Sequence, residues 1–424
     1  MRDARILVFV AAVAAIPRLI VLAYARGTIL TEYVEKSDTF ARTFIASGTY
    51  GFVPGVPSAY TQPLYGWFLI PLYWIDRTWV LVGLAQIAVA CCTALVVLQA
   101  GTLALGRRTG VIGAVLATLN PYLIWHDVHI NREILDQLLA AALFLAIYAA
   151  ARAGGWALAG GAGALLGLAI LGNSRLAALP LALAAYVLFY RRNRGGLVFV
   201  GVMWAAALVV MAPWAIRNKT EVGCWAITTD AHALWKANNT NTYRTLARGG
   251  WIDDVPAMPG VSPITPEYET DFYEQGHRIV RVNECKQEHT YEHAVFVFWR
   301  RHPGEKLKLM AQATRMLWQP QQTRTEGGPE TVAGIRSWAE AVWTLPIYLF
   351  ALIGLFLVPR RFAGLALVFL AYETFEAWIF AGATRYRISF DFVLALLAAA
   401  TVTRLLNSWR YTASTPSTAA PSEN

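Results

Sequence analysis

The chain has 424 residues, of which 56% are hydrophobic and only 15% are charged. This balance, with a positive mean hydropathy of +0.42, excludes an ordinary soluble globular protein. The formal net charge is +9, and its distribution along the chain decides whether it indicates nucleic-acid binding or membrane orientation.

Apolar runs that suit a hydrocarbon core about 30 Å thick recur from one end of the chain to the other. They predict ten membrane spans, at 6–23, 79–103, 111–124, 134–151, 156–171, 176–190, 197–214, 339–358, 365–380 and 390–402. Arg18 and the lack of a small-residue cleavage site indicate that the first run is a retained span and not a signal peptide. A shorter run at 64–75 is predicted to lie at the membrane interface.

The basic residues gather on one side of this arrangement, as expected for loops that stay in the cytoplasm. With a cytoplasmic N-terminus, that side carries Arg2, Arg5, Arg107, Arg108, Arg152, Arg191, Arg192, Arg194, Arg360, Arg361, Arg404 and Arg410, against Asp3 and Glu423. Membrane orientation therefore explains the net charge, and no nucleic-acid partner is expected. The prediction is a multi-pass protein of the cell (plasma) membrane with both termini in the cytoplasm.

Two non-cytoplasmic segments are predicted, at 26–77 and 218–338. They divide the chain into an N-terminal transmembrane module (1–217), the outer segment 218–338, C-terminal transmembrane helices (339–411) and a disordered tail (412–424). Helices are predicted at 268–301 and 306–318, separated by His302-Pro303-Gly304-Glu305. Cys224 and Cys285 both lie in this outer segment, and the sequence leaves open whether they form a disulfide.

Short motifs occur in a fixed order along the chain. The first outer segment contains Glu35-Lys36-Ser37-Asp38, Gly48-Thr49-Tyr50-Gly51-Phe52 and Gln62-Pro63-Leu64-Tyr65; later come Asn120-Pro121, Arg132-Glu133-Ile134-Leu135, Pro213-Trp214-Ala215-Ile216-Arg217-Asn218, Trp235 with Asn238-Asn239, and Arg385-Tyr386-Arg387. This series resembles the polyprenyl-phosphate-dependent glycosyltransferases of the C-type (GT-C) superfamily. The likeness is greatest to the family 39 group, which includes the protein mannosyltransferases and the lipid A aminoarabinose transferase.

The resemblance implies an all-α integral membrane enzyme that moves a monosaccharide from a polyprenyl-phosphate donor to an acceptor on the non-cytoplasmic side. The acceptor is left open among a protein, a glycolipid and a glycan. Because phosphate is already a good leaving group, one base suffices, and the displacement inverts the anomeric carbon. Asp38 is the base that the resemblance implies, whereas its position alone favours a residue that caps the helix beginning near Thr39. Glu133 is a second catalytic candidate through its motif.

Cations near the departing phosphate would stabilise its developing charge and anchor the donor. Arg217, Arg385 and Lys36 are predicted to bind the donor phosphate, with Arg18, Arg175 and Arg387 as further candidates. Arginines at a membrane boundary also extend to lipid headgroups without any catalytic role, so this alternative stays open.

Two further hypotheses from the sequence concern a bound metal ion and a function other than glycosyl transfer. His126, Asp127 and His129 lie with Glu133 in a short outer turn, where imidazole and carboxylate groups could hold a divalent metal or simply form a polar turn. A divalent metal is therefore left open as a cofactor. A lipid or glycan transporter is the rival function, because Glu373 and Glu376 fall inside the ninth predicted span.

Overall fold

A computed structural model describes residues 2–31, 35–261, 282–321 and 330–413. Within these ranges the secondary structure is helical, and the β structure is limited to an isolated bridge between Val53 and Val56. The all-α fold class predicted from the sequence is confirmed.

The α-helices of the described ranges are numbered here in chain order. They are α1 (Arg2–Ala25), α2 (Lys36–Ser47), α3 (Pro63–Ile75), α4 (Trp79–Leu105), α5 (Arg107–Thr118), α6 (Pro121–His126), α7 (Glu133–Ala153), α8 (Trp156–Gly172), α9 (Leu179–Tyr190), α10 (Arg194–Glu221), α11 (Ala231–Lys236), α12 (Thr242–Ala247), α13 (Glu284–Arg301), α14 (Pro303–Trp318), α15 (Glu330–Leu357), α16 (Arg360–Ile379), α17 (Thr384–Arg387) and α18 (Asp391–Ala413). A 3-10 turn, Ser174–Ala178, connects α8 to α9.

The chain is a multi-pass membrane protein. In the part of the chain that the structure describes, seven helical stretches are long and apolar enough to cross a bilayer: Asp3–Ala25, Trp79–Leu105, Glu133–Ala153, Arg194–Glu221, Gly334–Leu357, Arg360–Ile379 and Thr384–Ser408. Two shorter apolar stretches, Trp156–Gly172 and Ser174–Tyr190, coincide with the fifth and sixth predicted spans. The total of ten spans stays a prediction.

The third predicted span, 111–124, is not one continuous helix. It is divided between α5, which ends at Thr118, and α6, which begins at Pro121. Pro121 has no backbone N–H to continue the helical hydrogen bonds, and the residue before a proline is driven out of the helical conformation. The Asn120 side chain instead accepts a hydrogen bond from the backbone N–H of Tyr122, at 3.0 Å, and so begins the second helix.

Small residues allow the membrane helices to pack closely. Helix α8 packs on α10, and α15 packs on α18. A Cβ atom on Gly163 would collide with the carbonyl of Met203, and one on Gly354 would collide with the carbonyl of Leu397. Glycine therefore lets these pairs of backbones approach as in other membrane bundles, where small residues mark helix contacts.

The two outer segments are tied together at the start of α13. The Glu284 carboxylate accepts hydrogen bonds from the backbone N–H of Ala59 and from the Thr229 hydroxyl, both at 2.9 Å. A disulfide joins Cys224 to Cys285, which answers the question that the sequence left open. Glu284 therefore connects the first outer segment to the second.

The two helices predicted near the end of the outer segment are confirmed where the structure describes them. The first is described from Glu284 to Arg301, whereas its predicted beginning at 268–281 lies outside the described residues. The second begins at Pro303, three residues before the predicted start. Residues 412 and 413 of the predicted tail belong to α18, and 414–424 lie outside the described residues.

Candidate active site

Seven charged side chains from five separate parts of the chain meet at the helix ends that adjoin the segments 26–77 and 218–338. We call this group the arginine–carboxylate cluster; its members are Glu35, Arg132, Glu133, Asp136, Arg175, Glu376 and Arg385. They come from the start of α2, the start of α7, the turn after α8, the last turns of α16, and α17.

Arg385 connects two carboxylates that are far apart in the sequence. Its Nη2 lies 2.8 Å from Oε1 of Glu133 and 3.3 Å from Oε1 of Glu35, and its Nε donates to Glu133 at 3.0 Å. Glu133 is buried, whereas the side chains of Arg385 and Glu35 are 30% and 21% exposed. The structure thus brings together Arg385 and Glu133, which the motifs singled out, and adds Glu35.

Arg132 extends the cluster towards the first outer segment. Its Nη1 donates to the side-chain oxygen of Gln62 at 2.7 Å, and its Nε lies 4.0 Å from Glu133. Burial lowers the pKa of Arg132, but the carboxylates of Glu35, Glu133 and Asp136 outweigh this effect and raise it above its ordinary value. Arg132 therefore remains a cation although it is only 14% exposed.

Arg175 closes the opposite side of the cluster. It lies 3.7 Å from Glu376, and its guanidinium stacks on the ring of Tyr386 with a distance of 3.6 Å to the ring centre. Glu373 and Glu376, the two residues that suggested a transporter, are both buried. Glu376 belongs to the cluster because it pairs with Arg175. Asn173, two residues before Arg175, donates to Asp136 at 3.3 Å.

Several polar atoms of the cluster are buried without a hydrogen-bond partner in the described part of the chain. They are Nε of Arg132, Nη1 of Arg175, Oδ1 of Asp136 and Oε2 of Glu376. Buried polar atoms are nearly always hydrogen-bonded, so a group of this kind calls for an explanation. Two of these atoms are arginine N–H donors, which suit an anionic ligand.

Asp38, the predicted base, is completely buried at the start of α2. Nε and Nη2 of Arg77 donate to its two carboxylate oxygens, each at 3.1 Å, and the hydroxyl of Tyr73 donates to one of them. Burial and the adjacent Asp38 carboxylate raise the pKa of Tyr73, which keeps this hydroxyl protonated. Three donor groups from Arg77 and Tyr73 therefore already bind the Asp38 carboxylate.

Arg217 holds the first outer segment in place. Its Nη1 donates to the carbonyl of Ser58 at 2.7 Å, its Nη2 donates to the carbonyl of Tyr50 at 2.8 Å, and its Nε faces Glu221 at 2.7 Å. Because all three nitrogens have protein partners, the geometry supports a positioning role more directly than phosphate binding.

Lys36, the third predicted phosphate ligand, belongs to the contact between the two outer segments. Its Nζ lies 3.8 Å from Asp230 and 4.3 Å from the ring centre of Tyr60. Arg387, a further candidate, is buried and binds both oxygens of Asp391 and the carbonyls of Leu317 and Gln319.

The proposed metal ligands His126, Asp127 and His129 do not form a metal centre. Asp127 forms an ion pair with Arg18, whose Nε and Nη2 lie 2.8 and 2.7 Å from Oδ2 of Asp127. The side chain of Gln137 donates a hydrogen bond to Oδ1 of Asp127. Across the described ranges, no group of three or more His, Cys, Asp or Glu side chains is arranged to hold a metal ion. The buried ion pair with Arg18 occupies the Asp127 carboxylate, so the structure gives no support to a metal at these residues, and a divalent cofactor stays an open question.

The cluster also contains residues that sequence reasoning missed or ranked low. In the sequence, Glu35 and Arg132 are only neighbours of the predicted residues Lys36 and Glu133, and no motif singles out Asp136. The spacing of Glu133 and Asp136 was the available signal, because residues three apart lie on one face of a helix.

Comparison with solved structures defines the class of fold. Over nearly its whole length, the chain has the same fold as solved structures of an archaeal oligosaccharyltransferase. It is similar to the archaeal oligosaccharyltransferase AglB from Archaeoglobus fulgidus in complex with an inhibitory peptide and a dolichol-phosphate, with 13% identity and a TM-score of 0.54 over 99% of this chain. A second structure of the Archaeoglobus fulgidus oligosaccharyltransferase, tethered to an acceptor peptide, gives 12% identity and a TM-score of 0.55 over 96% of this chain.

The likeness concerns only part of the archaeal enzyme. This chain spans about half the length of those structures, 52% of the first and 50% of the second. No family model and no curated protein sequence matches the chain. At 12–13% identity, the comparison therefore shows the fold and leaves activity, substrates and partners to be argued from the site.

Proposed function

We propose that this chain is a membrane glycosyltransferase that transfers a monosaccharide from a polyprenyl-phosphate donor to an acceptor on the non-cytoplasmic side. The observation that carries the proposal is the pair of buried arginine donors, on Arg132 and Arg175, that have no hydrogen-bond partner in the described part of the chain. A lipid-linked phosphate entering the cluster would supply the missing acceptors. The GT-C fold and the dolichol-phosphate bound to the archaeal oligosaccharyltransferase support this choice of ligand.

In the proposed reaction the acceptor oxygen attacks the anomeric carbon as the bond from that carbon to the phosphate oxygen breaks. The bonding electrons leave with the polyprenyl phosphate, whose added charge is stabilised by Arg385, Arg132 and Arg175. The acceptor proton passes to a carboxylate, and the sugar product has the inverted configuration. Glu133 orients Arg385 through the contacts at 2.8 and 3.0 Å.

Two carboxylates of the first outer segment are candidates for the base. Asp38 is the residue that the motif resemblance indicates, and it becomes available if the acceptor replaces Tyr73 or Arg77. Glu35 is already partly exposed and, as a member of the cluster, contacts Arg385 at 3.3 Å. We retain Asp38 as the proposed base and test Glu35 against it.

The test uses the full chain in lipid nanodiscs with a panel of radiolabelled polyprenyl-phosphate monosaccharides and a cell-envelope extract as acceptor source. Release of polyprenyl phosphate and the anomeric configuration of the product are measured for wild type, Asp38→Asn and Glu35→Gln. We expect Asp38→Asn to abolish release while Glu35→Gln retains it, with melting temperatures measured in parallel to detect unfolding. Loss in Glu35→Gln alone would transfer the role of base to Glu35.

The same preparation separates the enzyme from a transporter. In sealed vesicles, a transporter would move the labelled lipid across the bilayer with its sugar still attached. Movement of intact donor without release of polyprenyl phosphate would therefore contradict the proposed reaction.

A further inference from the structure

A cleft of about 630 Å³ opens in the outer layer, beside the arginine–carboxylate cluster. One wall is formed by α12 and the turn that follows it, up to Trp251, and the other by α14 and the residues after it, up to Gln321. This volume falls within the range of about 300–1,000 Å³ that is typical of ligand-binding pockets. None of its lining residues belongs to the cluster, so the cleft is a separate site.

The lining has the chemistry of a site for a charged, hydroxyl-rich molecule. Tyr243, which is 43% exposed, and Trp251 provide aromatic surface, while Lys308 and Arg315 provide two exposed cations on the opposite wall. No Asp or Glu lines the cleft in the part of the chain that the structure describes. The side-chain oxygen of Gln312 is buried without a hydrogen-bond partner among the described residues, and it can accept a hydrogen bond from a ligand hydroxyl.

The cleft leads to the cluster. The ring centres of Trp251, in the cleft, and Tyr386 lie 6.3 Å apart. Tyr386 in turn contacts Arg175 of the cluster, whose guanidinium stacks on its ring. The hydroxyl of Thr384 donates to the carbonyl of Gln321 at 3.0 Å, which fixes the end of the cleft to the helix that carries Arg385. A molecule lying in the cleft would therefore present one end to the reaction centre.

We infer that this cleft binds the acceptor, and that the acceptor is an acidic glycan. The inference rests on the proposed transfer reaction, to which it adds the substrate class. Sugar rings place their apolar faces on aromatic side chains, and carboxylate or phosphate substituents pair with Lys308 and Arg315. A neutral glycan would leave both cations unused, and an acidic peptide would not need two aromatic surfaces beside amide groups.

The inference is tested by equilibrium binding to the full chain in phosphatidylcholine nanodiscs without donor. The probes are tetragalacturonate, the neutral maltotetraose and the acidic peptide tetraglutamate. We expect tetragalacturonate to bind at least tenfold more tightly than the other two. The double variant Lys308→Gln/Arg315→Gln and the single variant Trp251→Ala should each weaken tetragalacturonate binding at least tenfold. The control variant Arg301→Gln removes an exposed cation outside the cleft and should bind tetragalacturonate as wild type does.

Equal affinity for maltotetraose, equal affinity for tetraglutamate, or unchanged binding in the double variant would overturn the assignment. Donor consumption, measured separately, keeps this inference distinct from the proposed function. If wild type consumes donor, and the cleft variants bind tetragalacturonate and consume donor as wild type does, the cleft assignment is wrong while the proposed function stands. If tetragalacturonate binds as expected but no panel donor is consumed, the proposed function fails alone.

Discussion

Arg385 is the residue on which the cluster depends, because it contacts carboxylates contributed by the first outer segment and by α7. We predict that Arg385→Gln lowers the rate of polyprenyl phosphate release by about 10²–10³-fold, the usual effect of removing one donor that stabilises developing negative charge. Release by Arg301→Gln, which removes an exposed cation elsewhere in the outer layer, should match wild type. Wild-type turnover in Arg385→Gln would show that the cluster is not the reaction centre.

The buried pair of Arg18 and Asp127 has a structural consequence, since both side chains are only 1% exposed. Asp127→Asn leaves Arg18 as an uncompensated buried charge, which costs about 3–5 kcal/mol. We therefore expect a clear fall in the free energy of unfolding, measured by denaturant titration in micelles. Asp3→Asn breaks a solvent-exposed pair with Arg107 and should change it by less than about 1 kcal/mol. Similar values for the two variants would contradict the prediction.

Sequence motifs were sufficient to select Arg385 and Glu133 but not to show how they are arranged. Their contact joins residues 252 positions apart, and the contact with Glu35 spans 350 positions. No short sequence motif predicts a contact between residues so far apart in the chain. The contacts of Asp38 could likewise not be predicted from a local pattern, because Arg77 and Tyr73 lie 39 and 35 residues away along the chain.

At the scale of single elements, the contact between α8 and α10 depends on a glycine. Gly163 faces the backbone of α10 at Met203, whereas a Cβ on Gly161 would meet no atom within 4 Å. We predict that Gly163→Ala destabilises the protein by about 1–3 kcal/mol through overpacking. Gly161→Ala is the matched control, with the same change on the same helix, and should keep wild-type stability. Equal unfolding free energies would rule out the close backbone contact.

The apolar runs were sufficient to predict where helices occur, but not whether each run forms one unbroken helix. The run 111–124 is largely apolar, but Asn120-Pro121 ends one helix and begins another. The proline was present in the sequence as a signal. What the sequence could not show is that the short second helix, α6, contributes Tyr122 to a small buried cluster with Leu123 and Ile388.

At the scale of the whole molecule, the arrangement of charges and the disulfide lead to a prediction of orientation. The Cys224–Cys285 bond suits an oxidising compartment outside the cytoplasm. In a background where Cys91 and Cys92 are replaced by alanine, we expect a membrane-impermeant maleimide to label Arg301→Cys in intact cells and Arg192→Cys only after permeabilisation. The reverse labelling pattern would place the cluster in the cytosol and exclude the proposed reaction.

The bond from Ala59 to Glu284 spans 225 residues, and it imposes an order on biogenesis. The first outer loop emerges early from the ribosome, yet two of its partners, Glu284 and Arg385, are synthesised only after α10. A nascent chain stopped before residue 284 would therefore expose an unfinished loop to proteases.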